Sequence, residues 1–169
     1  MKVVLLGYMA SGKSVVGIEL AKKMNYPFFD LDSFIEEKEN MSISKIFESR
    51  GEVYFRKIET KYLKELLNLE DNCVISLGGG TPCYGNNMSL VNEKSVSFFL
   101  NASINTIFER LKKETSDRPL VATIGEENLK EFIAKHLFER NSFYSMAQYT
   151  VHTDEKEIDE IVNELISLF

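Results

Sequence analysis

The sequence has few cysteines, no excess of basic residues and no long apolar run. Its two cysteines, Cys73 and Cys83, are too few for a disulfide framework, and neither stands at the spacing of a metal-binding cluster. Acidic residues outnumber basic residues by 26 to 20, and the net charge of −6 argues against a dedicated nucleic-acid-binding protein. No apolar stretch approaches the length of a membrane span. We therefore expect a cytoplasmic protein that binds neither nucleic acid nor membrane.

The chain also lacks internal repeats, low-complexity segments and any linker that would divide it. Its 169 residues are 44% hydrophobic and 27% charged, which is close to the average for a soluble protein with a packed core. We predict a single domain over residues 1–169.

Short apolar segments alternate with segments of helical periodicity. The strands are predicted at 3–6, 27–32, 73–77, 95–100 and 149–152. The helices are predicted at 14–24, 33–39, 42–48, 53–69, 103–113, 126–144 and 155–168, with Ser42 as an N-cap and Gly51 as a break. Because strands that alternate with helices form parallel sheets covered on both faces, we predict an α/β fold with five parallel strands.

The strongest motif is Gly7-Tyr8-Met9-Ala10-Ser11-Gly12-Lys13-Ser14, which matches G-x-x-x-x-G-K-[ST] in full. Glycines let such a loop wrap around phosphate oxygens, and its amides and the following helix N-terminus supply positive potential. Lys13 is expected to reach the β- and γ-phosphates and Ser14 to ligate Mg²⁺. The motif follows the first predicted strand and opens the first predicted helix, which is the context that it requires.

Two further features stand at predicted strand ends, where open α/β sheets bind ligands. Asp30 and Asp32 are two residues apart in the second predicted strand, so both side chains are expected on the same side, to hold a metal or move a proton. The alternative is that one of them caps the next helix. Three consecutive glycines, Gly78, Gly79 and Gly80, suggest close approach of a ligand to the main chain, with a simple flexible turn as the alternative.

Several arginines could bind anionic groups. Arg56 stands three residues before Glu59, so the two can pair on one helix face, although a surface ion pair would have the same spacing. Arg110 and Arg140 lie in predicted helices, where solvated charges are the alternative. Arg118 falls in the non-periodic segment 115–125, where a closing lid would supply charge to a transferring phosphoryl group.

The two histidines, His136 and His152, have no partners at useful spacing, and we expect structural or surface roles for them.

Taken together, these motifs resemble the shikimate kinases from end to end. The resemblance rests on the P-loop, Phe29-Asp30-Leu31-Asp32, Ile46-Phe47 through Gly51-Glu52, Phe55-Arg56 with Glu59, the triple glycine, Arg118-Pro119-Leu120, and Arg140 with Tyr144. It implies a three-layer P-loop kinase fold of the nucleoside-monophosphate-kinase type. That fold would carry a substrate-binding subdomain at about 32–62 and a lid at about 115–125.

The resemblance also implies an activity. The protein would transfer phosphate from ATP to the 3-hydroxyl of shikimate, with Mg²⁺ as cofactor, on the route to chorismate and aromatic amino acids. We expect it to act as a monomer. A related kinase of another small acid, such as gluconate, is the alternative enzyme, and a P-loop nucleotide switch is the alternative outside enzymes.

By the same resemblance, specific residues receive roles. Asp30 would help Ser14 to hold Mg²⁺, while Asp32 would meet the shikimate hydroxyls and orient or deprotonate the attacking one. Arg56, steadied by Glu59, and Arg140 would clamp the shikimate carboxylate. The remaining nucleotide and substrate contacts would come from Ala10, Ser11, Gly12, Lys13, Val15, Arg110 against the adenine, Arg118 over the phosphates, and the amides of Gly78, Gly79 and Gly80. The implied catalytic residues are Lys13, Asp32 and Arg118.

The sequence departs from the usual pattern of this family at three places. Ala10 stands where glycine is usual, and Val15 stands where threonine is common. The segment Thr81-Pro82-Cys83 after the glycines is also unusual.

Overall fold

The computed structural model describes residues 1–114 and 123–169. Five parallel strands form one sheet in the order β2-β3-β1-β4-β5. The strands are β1 (Lys2–Leu6), β2 (Phe28–Asp30), β3 (Cys73–Ser76), β4 (Val96–Asn101) and β5 (Tyr149–His152). This confirms the five-stranded α/β prediction. Within the described ranges, no helix has the length and apolarity that crossing a membrane requires.

Seven helices cover this sheet in the described part of the chain. They are α1 (Lys13–Met24), α2 (Leu31–Glu39), α3 (Ile43–Leu67), α4 (Asn87–Lys94), α5 (Ile104–Lys113), α6 (Glu126–Tyr144) and α7 (Ile158–Ser167). A short 3₁₀ turn, Thr81–Cys83, follows the triple glycine.

The central strand β1 shows how the three layers form. Its side chains alternate between the two faces of the sheet, as the pleat of a strand dictates. Val3 and Leu5 pack with residues of α1 and α7, whereas Val4 and Leu6 pack with residues of α3, α5 and α6. Because all four side chains are fully buried, the sheet lies between two layers of helices.

Two local predictions about α3 are confirmed. The Ser42 side chain caps α3 by accepting a hydrogen bond from the backbone N–H of Lys45 at 3.2 Å. Gly51 interrupts the helix with a left-handed φ of 82° and an extended ψ of 172°, a conformation that glycine adopts at little cost. In contrast, α4 was not predicted, because the polar segment 84–94 shows no clear apolar periodicity. The 3₁₀ turn before it, Thr81–Cys83, was not predicted either.

The prediction for the second strand, 27–32, is wrong at the carboxyl end of the strand. β2 stops at Asp30 and α2 begins at Leu31, because the Asp30 carboxylate accepts a hydrogen bond from the backbone N–H of Ser33 at 3.0 Å and caps the helix. Asp32 therefore lies in the first turn of α2 and not on a strand. Asp30 and Asp32 do not share one side of a strand, although both line the same cavity.

Candidate active site

A cavity of about 440 Å³ opens at the carboxyl ends of β1, β2 and β3. Its walls are the loop between β1 and α1, both aspartates of the β2–α2 junction, and the first two glycines after β3. Arg110 of α5 and residues at the start of α7 close another side. The cavity thus lies at the edge where parallel α/β sheets bind their ligands.

The loop from Gly7 to Ser14 has the backbone of a phosphate-binding loop. Its φ angles are positive at Gly7, Ala10 and Gly12, which turns successive peptide groups around a concave surface. The Lys13 ammonium folds back over the loop and donates to the carbonyls of Gly7 at 2.8 Å and Tyr8 at 2.9 Å. This places a positive charge beside the loop amides at the N-terminus of α1, where anions bind.

Ser14 and Asp30 lie beside this loop as a pair. The Ser14 hydroxyl donates to Oδ2 of Asp30 at 3.2 Å. Within residues 1–114 and 123–169, no cluster of three histidine, cysteine or carboxylate side chains could hold a metal by itself. A hydroxyl and one carboxylate beside a phosphate loop nevertheless suit Mg²⁺, which commonly takes its remaining ligands from phosphate oxygens and water.

The carboxyl group of Asp32, in the cavity, has a pKa far from its ordinary value. Its carboxylate packs against the backbone of Gly78, where an added Cβ would lie only 2.9 Å from Oδ1. Burial and the negative charges of Asp30 and Glu59 raise the pKa of Asp32 to about 6, although Lys13 opposes the shift. A carboxylate that titrates near neutral pH suits proton transfer.

Arg56 is held on three sides. Its Nη1 donates to Oε1 of Glu59 at 2.9 Å, and Glu59 is only 1% exposed, so the pair is not a surface ion pair. The guanidinium lies 3.9 Å from the centroid of the Tyr84 ring. On the Gly80 side, an added Cβ would lie 2.9 Å from Nη2.

Arg140 of α6 reaches the same glycine loop from another direction. A Cβ added at Gly79 would lie 3.2 Å from Nη1 of Arg140. One turn later on α6, the hydroxyl of Tyr144 donates to the carbonyl of Gly79 at 2.7 Å, which ties the helix to the loop. The structure therefore brings two guanidinium groups, from α3 and α6, to neighbouring glycines.

Comparison with known proteins identifies the family. A family model described as shikimate kinase matches residues 9–169. The shikimate kinase of Flavobacterium johnsoniae is 49% identical over 168 residues, which cover 99% of this chain and 98% of that protein. This chain belongs to the shikimate kinase family. Membership confirms the expectation of a kinase over that of a nucleotide switch.

Solved structures of shikimate kinases have the same fold. The crystal structure of the Bacteroides thetaiotaomicron enzyme superposes with a TM-score of 0.94 at 37% identity, covering 99% of this chain and 97% of that one. The Acinetobacter baumannii shikimate kinase, solved in complex with shikimate, gives a TM-score of 0.87 at 29% identity over 99% and 91% of the two chains. A gluconokinase from Sinorhizobium meliloti reaches only 0.61 at 18% identity over 98% and 89%, a likeness of fold alone.

Ala10 adopts a backbone conformation that favours glycine. Its φ is 59°, in the left-handed region that costs an L-residue about 1–2 kcal/mol. The carbonyl oxygen of Ala10 accepts a hydrogen bond from Nη1 of Arg110 at 2.8 Å. Arg110 thus stabilises the strained residue of the phosphate loop. The two residues are 100 positions apart, so no local sequence pattern indicates this contact.

Other contacts near the candidate active site were not predicted from the sequence. His136, for which a structural or surface role is expected, has a partner distant in the sequence, because the Tyr8 hydroxyl lies 2.9 Å from Nδ1 of His136. Burial and the nearby Arg140 lower the pKa of His136. The role of Tyr84 beside Arg56 was also missed. Arg118 and most of the segment predicted as a lid, 115–125, lie outside the described residues.

Proposed function

We propose that this protein transfers the γ-phosphoryl group of ATP to the 3-hydroxyl of shikimate, producing shikimate 3-phosphate and ADP. The observation that carries the proposal is the meeting of two sites at one sheet edge. The phosphate loop, Asp32 and Gly78 line one cavity, and the next two glycines lie beside the guanidinium groups of Arg140 and Arg56. The relative from Acinetobacter baumannii that binds shikimate supports this choice of acceptor.

Arg56 and Arg140 form the proposed carboxylate-binding site. A guanidinium matches a carboxylate in charge and geometry, and two of them directed at one loop favour a small acidic substrate. Neighbouring Gly79 and Gly80 carry no side chains, which lets the two guanidinium groups lie close to the backbone of the loop. Glu59 keeps Arg56 in place, and the triple glycine offers backbone amides at the same position.

Asp32 is the proposed base. Its carboxylate would accept the proton of the 3-hydroxyl while that oxygen forms a bond to the γ-phosphorus and the bond to the β–γ bridging oxygen breaks. A pKa of about 6 leaves Asp32 mostly ionised at neutral pH, yet basic enough to take a proton. The shikimate carboxylate, held at a distance by the arginines, would orient the hydroxyl toward this carboxylate.

The nucleotide would be held by the loop amides from Ala10 to Val15, with Lys13 at its β- and γ-phosphates. Arg110 lines the cavity beside this loop and is the proposed neighbour of the adenine. Arg118 keeps the proposed role of closing over the phosphates. Ser14 and Asp30 would hold Mg²⁺, which supplies charge neutralisation to the phosphates when it is bound.

We expect Arg140→Ala and Arg56→Ala each to raise the KM for shikimate ten- to a hundredfold, roughly the 1.5–3 kcal/mol of a charge-assisted hydrogen bond. The KM for ATP should change less, because Arg56 bonds to Glu59 and the Arg140 guanidinium approaches the phosphate loop at the Tyr8 ring, 5.9 Å from its centroid, and not at Lys13. Steady-state kinetics with each substrate varied in turn measure this. Arg50→Ala is the matched control, since Arg50 is an exposed arginine of the same helix as Arg56. A larger effect on ATP than on shikimate would contradict the assignment.

A coupled assay of ADP release across a panel of acceptors tests the function as a whole. The panel contains shikimate, shikimate methyl ester, quinate and gluconate, each with ATP and Mg²⁺, and a reaction without acceptor. We expect rapid ADP release with shikimate and slow release with its ester, because esterification removes the charge that the arginines bind. Faster turnover with gluconate than with shikimate would assign the protein to another acceptor, and acceptor-independent turnover would indicate a nucleotide hydrolase or switch.

A further inference from the structure

The Glu59 carboxylate has two different partners. One oxygen, Oε1, accepts from Arg56, and the other, Oε2, accepts from the hydroxyl of Thr81 at 2.8 Å. Glu59 is 1% exposed and Thr81 is fully buried, so water does not compete for these bonds. Thr81 belongs to the unusual segment that follows the triple glycine.

Thr81 is itself fixed by the surrounding backbone and helices. Its N–H donates to the carbonyl of Gly78 at 3.1 Å, and its carbonyl accepts from Nδ2 of Asn87 at 3.0 Å. The Asn87 side chain in turn accepts from the hydroxyl of Thr60 at 2.9 Å. Asn87 is fully buried at the start of α4, and Thr60 follows Glu59 on α3. A continuous chain of polar contacts therefore links the glycine loop to both helices.

The orientation of Arg56 depends on this chain. The Arg56 guanidinium lies over the Tyr84 ring, and its Nε is 3.7 Å from Oε1 of Glu52 without a hydrogen bond. Within the residues that the structure describes, the Nη1 bond to Glu59 is therefore the hydrogen bond that fixes the rotation of the guanidinium. If Oε2 of Glu59 loses its donor, the buried carboxylate has an unsatisfied oxygen and is free to rotate toward another partner. Rotation of Glu59 would carry the guanidinium away from its place beside Gly80.

We propose that Thr81 is a positioning residue for the acidic substrate: its hydroxyl fixes Glu59, and Glu59 fixes Arg56 in the geometry that receives the substrate carboxylate. This inference rests on the proposed function of Arg56. It assigns a role to a residue at which the chain departs from the usual family pattern. Thr81 does not touch the substrate in this account and acts through Glu59 alone.

The test compares three substitutions of Thr81 with a control elsewhere. Thr81→Val and Thr81→Ala remove the hydroxyl, and Thr81→Ser keeps it. Ser97→Ala is the control, because Ser97 is also fully buried and its hydroxyl donates to Asn92 at 2.6 Å, near the start of β4 and away from the cavity. The readouts are the KM for shikimate, the KM for ATP, kcat, and the melting temperature of each variant.

We expect Thr81→Val and Thr81→Ala to raise the KM for shikimate about tenfold while the KM for ATP stays within about twofold of the parent value. Thr81→Ser should restore the KM for shikimate to within about threefold, because a serine hydroxyl can donate to the same oxygen. Ser97→Ala should lower the melting temperature without raising the KM for shikimate relative to the KM for ATP. A merely structural role of Thr81 would give the pattern of the Ser97 control.

An unchanged KM for shikimate in the folded valine or alanine variant overturns the proposal, as does a serine variant that fails to restore it. Failure of both hydroxyl-free variants to fold also overturns it, since Thr81 would then serve stability. The parent protein separates this inference from the proposed function. A parent that releases no ADP in response to shikimate contradicts the function itself, whatever the Thr81 variants do.

Discussion

Lys13→Ala is expected to lower kcat by about a hundred- to a thousandfold, the effect of removing one preorganised group that stabilises charge in a transition state. The ammonium of Lys13 lies against the phosphate loop through its bonds to the carbonyls of Gly7 and Tyr8, where the β- and γ-phosphates would accumulate charge. Because the side chain is not part of the buried apolar core, the fold should survive the change. Steady-state kinetics and circular dichroism of the purified variant measure both outcomes.

Lys22→Ala is the matched control for this experiment. Lys22 belongs to the same helix, its side chain is 66% exposed, and it pairs with Glu19 on the surface. The control variant should retain the parent kcat. Near-normal turnover in a folded Lys13→Ala protein would contradict the assignment of the phosphate loop as the nucleotide site.

Asp32→Asn is expected to lower kcat by a factor of about a hundred or more, because asparagine cannot take the proton of the attacking hydroxyl. The parent kcat/KM for shikimate should also decline as the pH falls through about 6, since Asp32 becomes protonated there and no longer acts as a base. The asparagine variant should lack this decline. A pH profile of kcat/KM for both proteins provides the measurement, and an identical acidic limb in the two would assign the decline to another group.

The melting temperature of Asp32→Asn provides an independent check, because the substitution is expected to raise stability while it lowers activity. The folded-state pKa of Asp32, about 6, lies above its ordinary value of 3.8, so the folded protein binds this proton more tightly than the unfolded chain does. The contribution of Asp32 to stability is therefore lost as the pH rises through about 6, and at pH 7 its ionisation costs about 2–3 kcal/mol. We expect the variant to melt at a higher temperature than the parent at pH 7 while losing activity. A lower melting temperature would mean that Asp32 serves the fold.

The fold was predictable because its elements carry strong local patterns. The buried strands read as short apolar runs, and the caps and breaks at Ser42 and Gly51 have simple chemical causes. The end of β2 was predicted wrongly because the helix-capping bond of Asp30 competes with continuation of the strand, and both outcomes suit the residues 30–32. α4 was missed because its burial depends on tertiary contacts of Asn87 and its neighbours, and not on an amphipathic pattern.

The candidate site, like the fold, could be predicted from the sequence only in part. The motifs and the resemblance predict roles for Lys13, Asp32 and Arg56, because the chemistry of each residue type restricts its use. The contacts that hold these residues were not predictable, because they join distant positions: Arg110 with Ala10, Tyr8 with His136, and Thr81 with Glu59. Ala10 and Thr81 each had a sequence signal, a departure from the usual family pattern, but that signal did not indicate these contacts.

The most direct test of the central claim is the structure of the product formed from shikimate. The protein, ATP and Mg²⁺ are incubated with shikimate, and the phosphorylated product is examined by phosphorus and proton NMR. The account predicts one phosphate ester per ADP released, with phosphorus coupled to the proton on carbon 3, because the arginines would hold the carboxylate and Asp32 would receive the 3-hydroxyl. Phosphate on another hydroxyl, or ADP release without an ester of shikimate, would contradict it.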